Sequence, residues 1–467
     1  MRSGRVALAE VAIVAAGLVP LACADPGVVV EVRADGLVAP GDVDGFCLAV
    51  GDRDPGGGEF AQSYRVGDEG VGGLPQTLAV DPGDASGAFA WVRGSWRGVE
   101  VARDAAAFEF GGRDEVVLTL AACPGGPGGE PSLVDQGEVG ADSLAVLSLG
   151  RTGSEVLAVG DGGVALLRPR GGRLEPLAVA LPDPGEGAPL DLIAFDADGD
   201  CDDDAVVVRG DGAVELWRRA ADGSFAAIDD PLAAEGARAA AAADVDADGD
   251  VDLAVGGPDS LIVWLNDGAG RFARHPTEVA GDGATDVTRL AFGDFDGDGA
   301  IDLVAGRGSA EAAPIRVLFN AGDGAFETAP AALPELPRRT RALAVRDMDG
   351  DGAVDLIAAG LDMPVTLYVS RGDGRLEDRS FIALPAVDAV DAASLAAADW
   401  DGDCLADLVI GLASGEALSW RGVAAGRMVD DGSPGAAGAT VILGDADDDG
   451  DADLLTVSGA ELDWAAR

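Results

Sequence analysis

The chain has 467 residues, a formal net charge of −51 and 70 glycines, and aromatic residues make up only 5% of it. So much negative charge would repel a phosphate backbone, which argues against nucleic acid as a partner. The 48% of hydrophobic residues argues against an acidic disordered chain, and the many glycines favour an all-β protein of short strands and turns.

Residues 1–24 resemble an export signal. Two arginines precede an apolar run, residues 6–21, that is too short for a membrane span and is followed by small residues. Two processing routes stay open: cleavage after Ala24, or a bacterial lipobox within PLAC that would make Cys23 a lipidated N-terminus. Either route predicts a secreted or surface-anchored protein of the cell envelope, with membrane contact only through a lipid on Cys23.

Residues 25–124 contain β-rich runs such as VVVEVRA, FCLAVGD and AFAWVRG, separated by clusters of Gly, Pro and Asp. Roughly 100 residues of short strands predict a β-sandwich-like domain. An exported compartment favours a disulfide between Cys47 and Cys123. The glycine-rich segment 125–131 is typical of a flexible linker.

Residues 132–467 are built by repeating one stretch, which reads GDFDGDGAIDL in its best copy. Asp294, Asp296, Asp298 and Asp302 occupy positions 1, 3, 5 and 9 of this loop. At an effective dielectric constant near 20, each pair of carboxylates ~5 Å apart costs ~3 kcal/mol, so the loop needs a cation. Oxygen ligands at alternate positions, with glycines that permit a tight turn, suit a hard ion such as calcium.

Six copies of this metal loop follow one another, and their first aspartates are 48, 50, 53, 52 and 46 residues apart. An earlier copy around Ser148 keeps the apolar flanks but has only Glu155 as an acidic side chain, so we expect no metal there. The chain therefore has seven repeats, six of them competent to bind metal. Positions 1, 3, 5 and 9 are Asp196, Asp198, Asp200 and Asp204 in repeat 2; Asp244, Asp246, Asp248 and Asp252 in repeat 3; Asp294, Asp296, Asp298 and Asp302 in repeat 4; Asp347, Asp349, Asp351 and Asp355 in repeat 5; Asp399, Asp401, Asp403 and Asp407 in repeat 6; and Asp445, Asp447, Asp449 and Asp453 in repeat 7.

Each repeat has the pattern strand, metal loop, strand, turn, strand, turn, strand. About four strands in ~50 residues is the size of one propeller blade, so we predict a seven-bladed β-propeller. The last repeat ends after its third strand, and we expect Ser132–Val139 to pair with the strand around Leu462–Trp464 and complete that blade. A bulky residue ends each third strand and is expected to pack between blades: Leu167, Trp217, Trp264, Phe319, Tyr368, Trp420 and Trp464.

The motif D-x-D-G-D-G-x-x-D-L, followed by IVWLNDGAGRF, resembles the FG-GAP/VCBS repeat. That family forms seven-bladed propellers, as in the integrin α-subunit head, with calcium in the loop that joins two strands of a blade. The resemblance covers about 132–467 and implies about six calcium ions, with carboxylates at positions 1, 3, 5 and 9 and a backbone carbonyl at position 7. Position 7 is held by Asp202, Asp250, Ala300, Ala353, Leu405 and Asp451. Cys201 and Cys404 stand at position 6, where glycine is usual, and their loops should lie too far apart for a disulfide.

The only histidine, His275, has no sequence partners for a catalytic triad or a zinc site of several histidines, and no phosphate-binding or dinucleotide-binding motif is present. We therefore expect a non-catalytic, monomeric, calcium-stabilised module that binds a protein or glycan, with adhesion as its role. Two alternatives stay open. One is a hydrolase or polysaccharide lyase with its active site on the propeller face, and the other is a structural envelope lipoprotein without a specific ligand.

Overall fold

The repeats form a seven-bladed β-propeller in a computed structural model, which confirms the predicted fold. Each blade is a four-stranded sheet, antiparallel throughout. The first strands of successive blades contact one another in a closed circle, so they are the innermost strands of the ring. Before residue 155, the structure describes only the residues of the strands named below. From residue 155 to residue 465, it describes every residue except 161–162, 171–172, 184–188, 201, 221–222, 229–231, 233–235, 278, 280–284, 330–331, 352, 387–388, 402, 404, 425, 435–438, 445, 447–451 and 459–460.

Strands are numbered within each blade from the innermost outwards, and blades are numbered as the repeats. Blades 1 to 4 consist of Ser143–Leu147, Glu155–Gly160, Gly163–Arg170 and Arg173–Pro176; Pro189–Phe195, Asp204–Arg209, Val214–Arg219 and Phe225–Ala227; Ala239–Ala243, Asp252–Gly256, Leu261–Asn266 and Phe272–Arg274; and Val287–Gly293, Asp302–Arg307, Arg316–Asn320 and Phe326–Thr328. Blades 5 to 7 consist of Thr340–Arg346, Asp355–Gly360, Thr366–Ser370 and Leu376–Asp378; Ala392–Ala398, Asp407–Leu412, Ala417–Ala424 and Arg427–Gly432; and Thr440–Gly444, Asp453–Ser458, Glu461–Ala465 and Val134–Glu138.

The second strand of each blade is apolar along almost its whole length. Every residue of Asp204–Arg209, Asp302–Arg307 and Asp355–Gly360 is buried. A strand in the middle of a blade is covered on both faces by the neighbouring blades, so a continuous apolar run replaces the alternation of a half-exposed strand. This is why the sequence after each metal loop contains runs such as LVAG and LIAA.

The core consists of apolar layers between neighbouring blades, as predicted from the bulky residues that end the third strands. Trp420 of blade 6 packs with Ile357 and Leu367 of blade 5. Tyr368 of blade 5 packs with Val304 of blade 4. Burying one such side chain completely contributes ~1.5–3 kcal/mol, so these layers hold consecutive blades together.

The ring is closed by a strand from before the first repeat. Val134–Glu138 is the fourth strand of blade 7 and pairs with Glu461–Ala465, which confirms the predicted closure. Leu167 of blade 1 belongs to one apolar cluster with Leu462 and Trp464 of blade 7. The paired positions are Glu138 with Glu461, Asp135 with Asp463, and Val134 with Trp464.

Helix is almost absent from the part of the chain that the structure describes. One short helix, Ser380–Ala383, connects blades 5 and 6. Among the described residues, no helix is long and apolar enough to span a membrane.

The N-terminal part of the chain also contains β-strands. One sheet has the order Ala12–Val14, Gln76–Val80, Val28–Asp35 and Glu115–Ala121, and the other has the order Glu59–Arg65, Gly45–Asp52, Gly87–Trp96 and Val99–Glu109. The β-sandwich and the export signal stay predictions. Cys123, Cys201 and Cys404 lie outside the described residues, so the expectations for disulfides stay predictions too.

Candidate metal centres

The metal loops connect the first and second strands of blades 2 to 7. The position-9 aspartate begins the second strand of every one of these blades. In five loops, one oxygen from each of three carboxylates lies within 4.8 Å of the other two. These groups are Asp196, Asp198 and Asp200; Asp244, Asp246 and Asp248; Asp294, Asp296 and Asp302; Asp347, Asp349 and Asp351; and Asp399, Asp401 and Asp407.

Backbone N–H groups of the loop itself orient these carboxylates. In blade 4, Asp294 accepts hydrogen bonds from Gly297 N at 2.7 Å and from Gly299 N at 3.0 Å. Asp298 Oδ1 accepts one from Ala300 N at 2.8 Å. Gly297 and Gly299 have φ values of +74° and +90°, which favour glycine and explain its place in the motif.

The same hydrogen bond from position 7 to position 5 recurs in the other described loops. The donor N–H groups of Asp202, Asp250, Ala353 and Leu405 lie 2.9–3.0 Å from Oδ1 of Asp200, Asp248, Asp351 and Asp403, respectively. Five loops of different sequence thus hold position 5 in one orientation. The carbonyl groups predicted to bind metal at position 7 belong to the residues that donate these bonds, and their role as ligands stays a prediction.

The position-9 aspartate is buried and joins two parts of its blade. Asp302 is 0% exposed, and its Oδ2 accepts a hydrogen bond from Phe295 N at 2.9 Å while its Oδ1 accepts one from Asn320 N at 3.0 Å. The first bond holds the start of the loop, and the second holds the end of the third strand. The bond to position 2 recurs at Asp204, Asp252, Asp355, Asp407 and Asp453. The bond to the third strand recurs at Asp204, Asp252, Asp355 and Asp407.

Burial raises the pKa of several of these carboxyl groups. It raises the pKa of Asp252 to about 8 and that of Asp302 to about 7. Two backbone hydrogen bonds to each carboxylate lower its pKa, but burial has the larger effect. Burial likewise raises the pKa values of Asp355 and Asp407 to about 6. The charges of other aspartates in the same loop add to each shift, so the carboxylates of a loop repel one another. A divalent cation would offset this repulsion, and oxygen donors of this kind fit calcium.

One loop lies largely outside the described residues. Asp445, Asp447, Asp449 and Asp451 of blade 7 are not described, whereas Asp453 is 0% exposed and accepts a hydrogen bond from Ala446 N at 2.9 Å. Blade 7 therefore has the position-9 contact of the other loops, and its metal set stays a prediction.

Sequence reasoning missed a polar connection between adjacent blades. Asn320, the last residue of the third strand in blade 4, donates from Nδ2 to Val245 O in blade 3 at 2.6 Å and to Ile301 O at 3.1 Å. Asn266 does the same one blade earlier, to Ala197 O at 2.8 Å and Val251 O at 3.0 Å. The sequence does contain a sign of this connection, namely the asparagine that recurs in the L-N-D-G and F-N-A-G segments.

Sequence reasoning also missed two roles of arginine. Glu155 of blade 1 begins the second strand, where the other blades have their position-9 aspartate, and it is 0% exposed. Its carboxylate accepts a hydrogen bond from Arg168 Nε at 2.8 Å and pairs with Arg219 Nη2 at 2.7 Å. In blade 5, Arg371 pairs with the candidate ligands Asp349, at 3.2 Å, and Asp351. Arginine thus supplies positive charge in blade 1 and would compete with a metal ion in blade 5.

A family model of the FG-GAP-like repeat matches residues 196–255, 244–305 and 347–410. The chain contains FG-GAP-like repeats. Each match begins at the first aspartate of one metal loop and ends within the second strand of the next blade. Each match therefore contains two consecutive metal loops, one at its start and one near its end.

Three solved structures are similar to this chain at low sequence identity. An Agrocybe aegerita lectin, described as recognising non-reducing terminal N-acetylglucosamine, is 16% identical, covers 74% of this chain and 97% of its own, and has a TM-score of 0.48. The BP39L lectin from Burkholderia pseudomallei is 17% identical, and the similarity covers 73% of this chain and 98% of the lectin, with a TM-score of 0.47. A chain of the structure of BBS1N in complex with ARL6DN is 10% identical, and the similarity covers 71% of this chain and 96% of that chain, with a TM-score of 0.49. Identities this low concern the fold and not the ligand. Comparison with curated protein sequences gives no significant match.

Proposed function

We propose that this chain is a non-catalytic binding module whose propeller is stabilised by calcium in the metal loops of blades 2 to 7. The observation that carries the proposal is that five described loops each gather three carboxylates within 4.8 Å. These are positions 1, 3 and 5 in blades 2, 3 and 5, and positions 1, 3 and 9 in blades 4 and 6. Backbone N–H groups already orient several of these carboxylates, so a cation would bind without a large rearrangement. Six loops in the sequence correspond to about six ions.

Two features support a non-catalytic role. Both ring nitrogens of His275, the only histidine, are used by the backbone: Nδ1 accepts a hydrogen bond from Thr277 N at 3.1 Å, and Nε2 lies 3.0 Å from Asp323 O. Among the described residues, the aspartates with a raised pKa belong to the metal loops, with Asp191 as the exception. The raised pKa values are therefore explained by the metal loops and do not point to a separate catalytic pair of carboxyl groups.

The binding role follows from the architecture. A propeller presents the turns between its strands around a rigid ring, and turns on a rigid scaffold are where recognition residues concentrate. The export signal predicted over residues 1–24 would place this surface outside the cell, where calcium is abundant. A protein or a glycan at the cell surface is the ligand class that we propose.

Calcium titration of the full chain tests the proposal. We expect about six ions per chain and a large rise in melting temperature, because each site contributes ~2.7 kcal/mol at a calcium concentration of 100 times Kd. Asp248→Ala, which removes an exposed member of the blade 3 group, should remove one ion and leave the calcium-free stability nearly unchanged. Asp259→Ala, at an exposed turn outside the metal loops, is the matched control and should retain every ion. Identical melting curves in calcium and in chelator would refute the stabilising role.

Glycan-array and pull-down screens in calcium then test the binding role. A reproducible glycan or protein ligand that is lost in chelator supports the module. Turnover of a polysaccharide by the purified chain would contradict the non-catalytic assignment.

A further inference from the structure

Four arginines lie at the end of the ring opposite the metal loops. Arg238 directly precedes the first strand of blade 3, Arg289 lies near the start of the first strand of blade 4, and Arg339 and Arg341 flank Thr340 at the start of the first strand of blade 5. The metal loops follow the other ends of these same strands. We call Arg238, Arg289, Arg339 and Arg341 the arginine cluster.

Three members of the cluster converge on one turn of blade 4. Arg339 Nη2 and Arg341 Nη2 both donate to the carbonyl oxygen of Ser309, at 3.3 Å and 3.4 Å. Ser309 N donates to Asp286 Oδ1 at 3.3 Å, and this same oxygen lies 3.7 Å from Arg238 Nη1. A single serine therefore connects three guanidinium groups from blades 3 and 5.

Arg289 is the fourth member and approaches from blade 4. Its Nη1 donates to Thr288 O at 2.8 Å, and Thr288 Oγ1 donates to Thr340 O at 2.8 Å, next to Arg341. Burial lowers the pKa of Arg341, and the positive charges of Arg339, Arg289 and Arg238 lower it further. Arg341 thus lies close enough to the other three guanidinium groups for their charges to oppose its own.

The described neighbours supply too little negative charge for this cluster. Asp286 already accepts hydrogen bonds from Gly308 N and Ser309 N. Asp191, the acid near Arg289, accepts hydrogen bonds from Ala240 N at 3.0 Å and Leu192 N at 3.2 Å. Among the described residues, four arginines thus face two carboxylates, so positive charge is in excess there.

Arginines with a structural role look different in this chain. Arg209 is buried and pairs with Glu215 at 2.8 Å, with Nε and Nη2 each donating to one carboxylate oxygen. Arg316 pairs with Glu335 at 3.1 Å. Each of these has its own carboxylate, whereas Arg339 and Arg341 share one neutral carbonyl. Within the part of the chain that the structure describes, the cluster therefore has more guanidinium groups than carboxylates and can accept a further anion, in a chain of net charge −51.

We propose that the arginine cluster binds a compact anionic group, such as a carboxylate or a phosphate, carried by the ligand of the propeller. This inference rests on the proposed binding function and specifies the chemistry of its ligand. The guanidinium fork matches the geometry of both anions. Exposed acids on turns at the same end of the ring, Asp259, Glu311 and Asp362, make an extended polyanion a poor fit. The site therefore suits one anionic group on an otherwise neutral molecule.

The test is titration of the calcium-loaded full chain with four probes: glucuronate, glucose, acetate and inorganic phosphate. We expect glucuronate or phosphate to bind and glucose not to bind, and acetate shows whether a carboxylate alone suffices. Arg341→Gln should weaken binding of the anion at least tenfold, and Arg341→Lys should recover part of the loss. Arg271→Gln, which removes an 80% exposed arginine at the metal-loop end, should change nothing.

Stability in the absence of a ligand separates binding from a structural role. Arg341→Gln removes one of several like charges, so its melting temperature should equal or exceed that of the parent. A lower melting temperature together with unchanged anion binding would overturn the proposal, as would failure of all three anions to bind. Calcium stoichiometry in the same samples reports on the proposed function independently.

Discussion

Replacing the closing strand, Val134–Glu138, with a Gly/Ser segment of equal length should destabilise the whole propeller. The strand pairs with Glu461–Ala465 at three positions. A backbone hydrogen bond contributes about 0.5–1.5 kcal/mol net, so the lost pairing costs on the order of 2–4 kcal/mol. For a domain of this size that loss corresponds to roughly 3–6 °C in melting temperature. Opening the seam would also break the apolar packing of Leu167 with Trp464, so the total loss of stability should be larger.

A matched control is the same replacement of Phe272–Arg274, the outermost strand of blade 3, which also pairs at three positions. That strand closes no seam, so its loss should cost less than the loss of Val134–Glu138. Calorimetric melting of both variants in saturating calcium measures the difference. Equal losses would refute the special role of the seam, and a closing-strand variant that melts like the parent would refute the pairing itself.

Glu155→Gln should destabilise the protein by ~3–5 kcal/mol, because it leaves the buried guanidinium of Arg219 without its counter-charge. Calcium stoichiometry should not change, and the exposed control Glu327→Gln should melt like the parent. The pH dependence of calcium-free protein follows from Asp252 and Asp302, whose folded pKa values of about 8 and about 7 lie above that of an unfolded aspartate. The folded state then binds more protons than the unfolded state, so stability should rise as the pH falls from about 8 to about 5. A melting temperature that falls over this range would contradict the assignment.

Much of the fold could be predicted because the repeat gives the same information seven times. The metal loop, its spacing and the apolar run after it defined the first two strands of every blade. The closing strand was predicted because an open edge in a ring would leave backbone groups unpaired, and Val134–Glu138 pairs with Glu461–Ala465. Periodicity therefore compensated for the weak signal of each short strand.

The remaining contacts could not be predicted because they join residues whose proximity depends on the ring. Nothing near Glu155 in the sequence indicates Arg219, which lies 64 residues away and in the next blade. Position 9 was predicted only as a metal ligand, although Asp302 also joins the loop to the third strand through Asn320 N. A local motif identifies the residue types of a site, whereas the partners from other blades come from the folded ring.

The metal loops and the arginine cluster lie at opposite ends of the innermost strands, and this separation would suit the proposed binding function. Seven residues of strand, such as Val287–Gly293, span about 20 Å at ~3.3 Å per residue. That distance exceeds the screening length of ~8 Å at physiological ionic strength, so the aspartates of the metal loops hardly repel an anion at the arginine cluster. Calcium would then affect anion binding mainly by keeping the ring folded. An acidic protein can in this way hold its stabilising cations at one face and recognise an anion at the other.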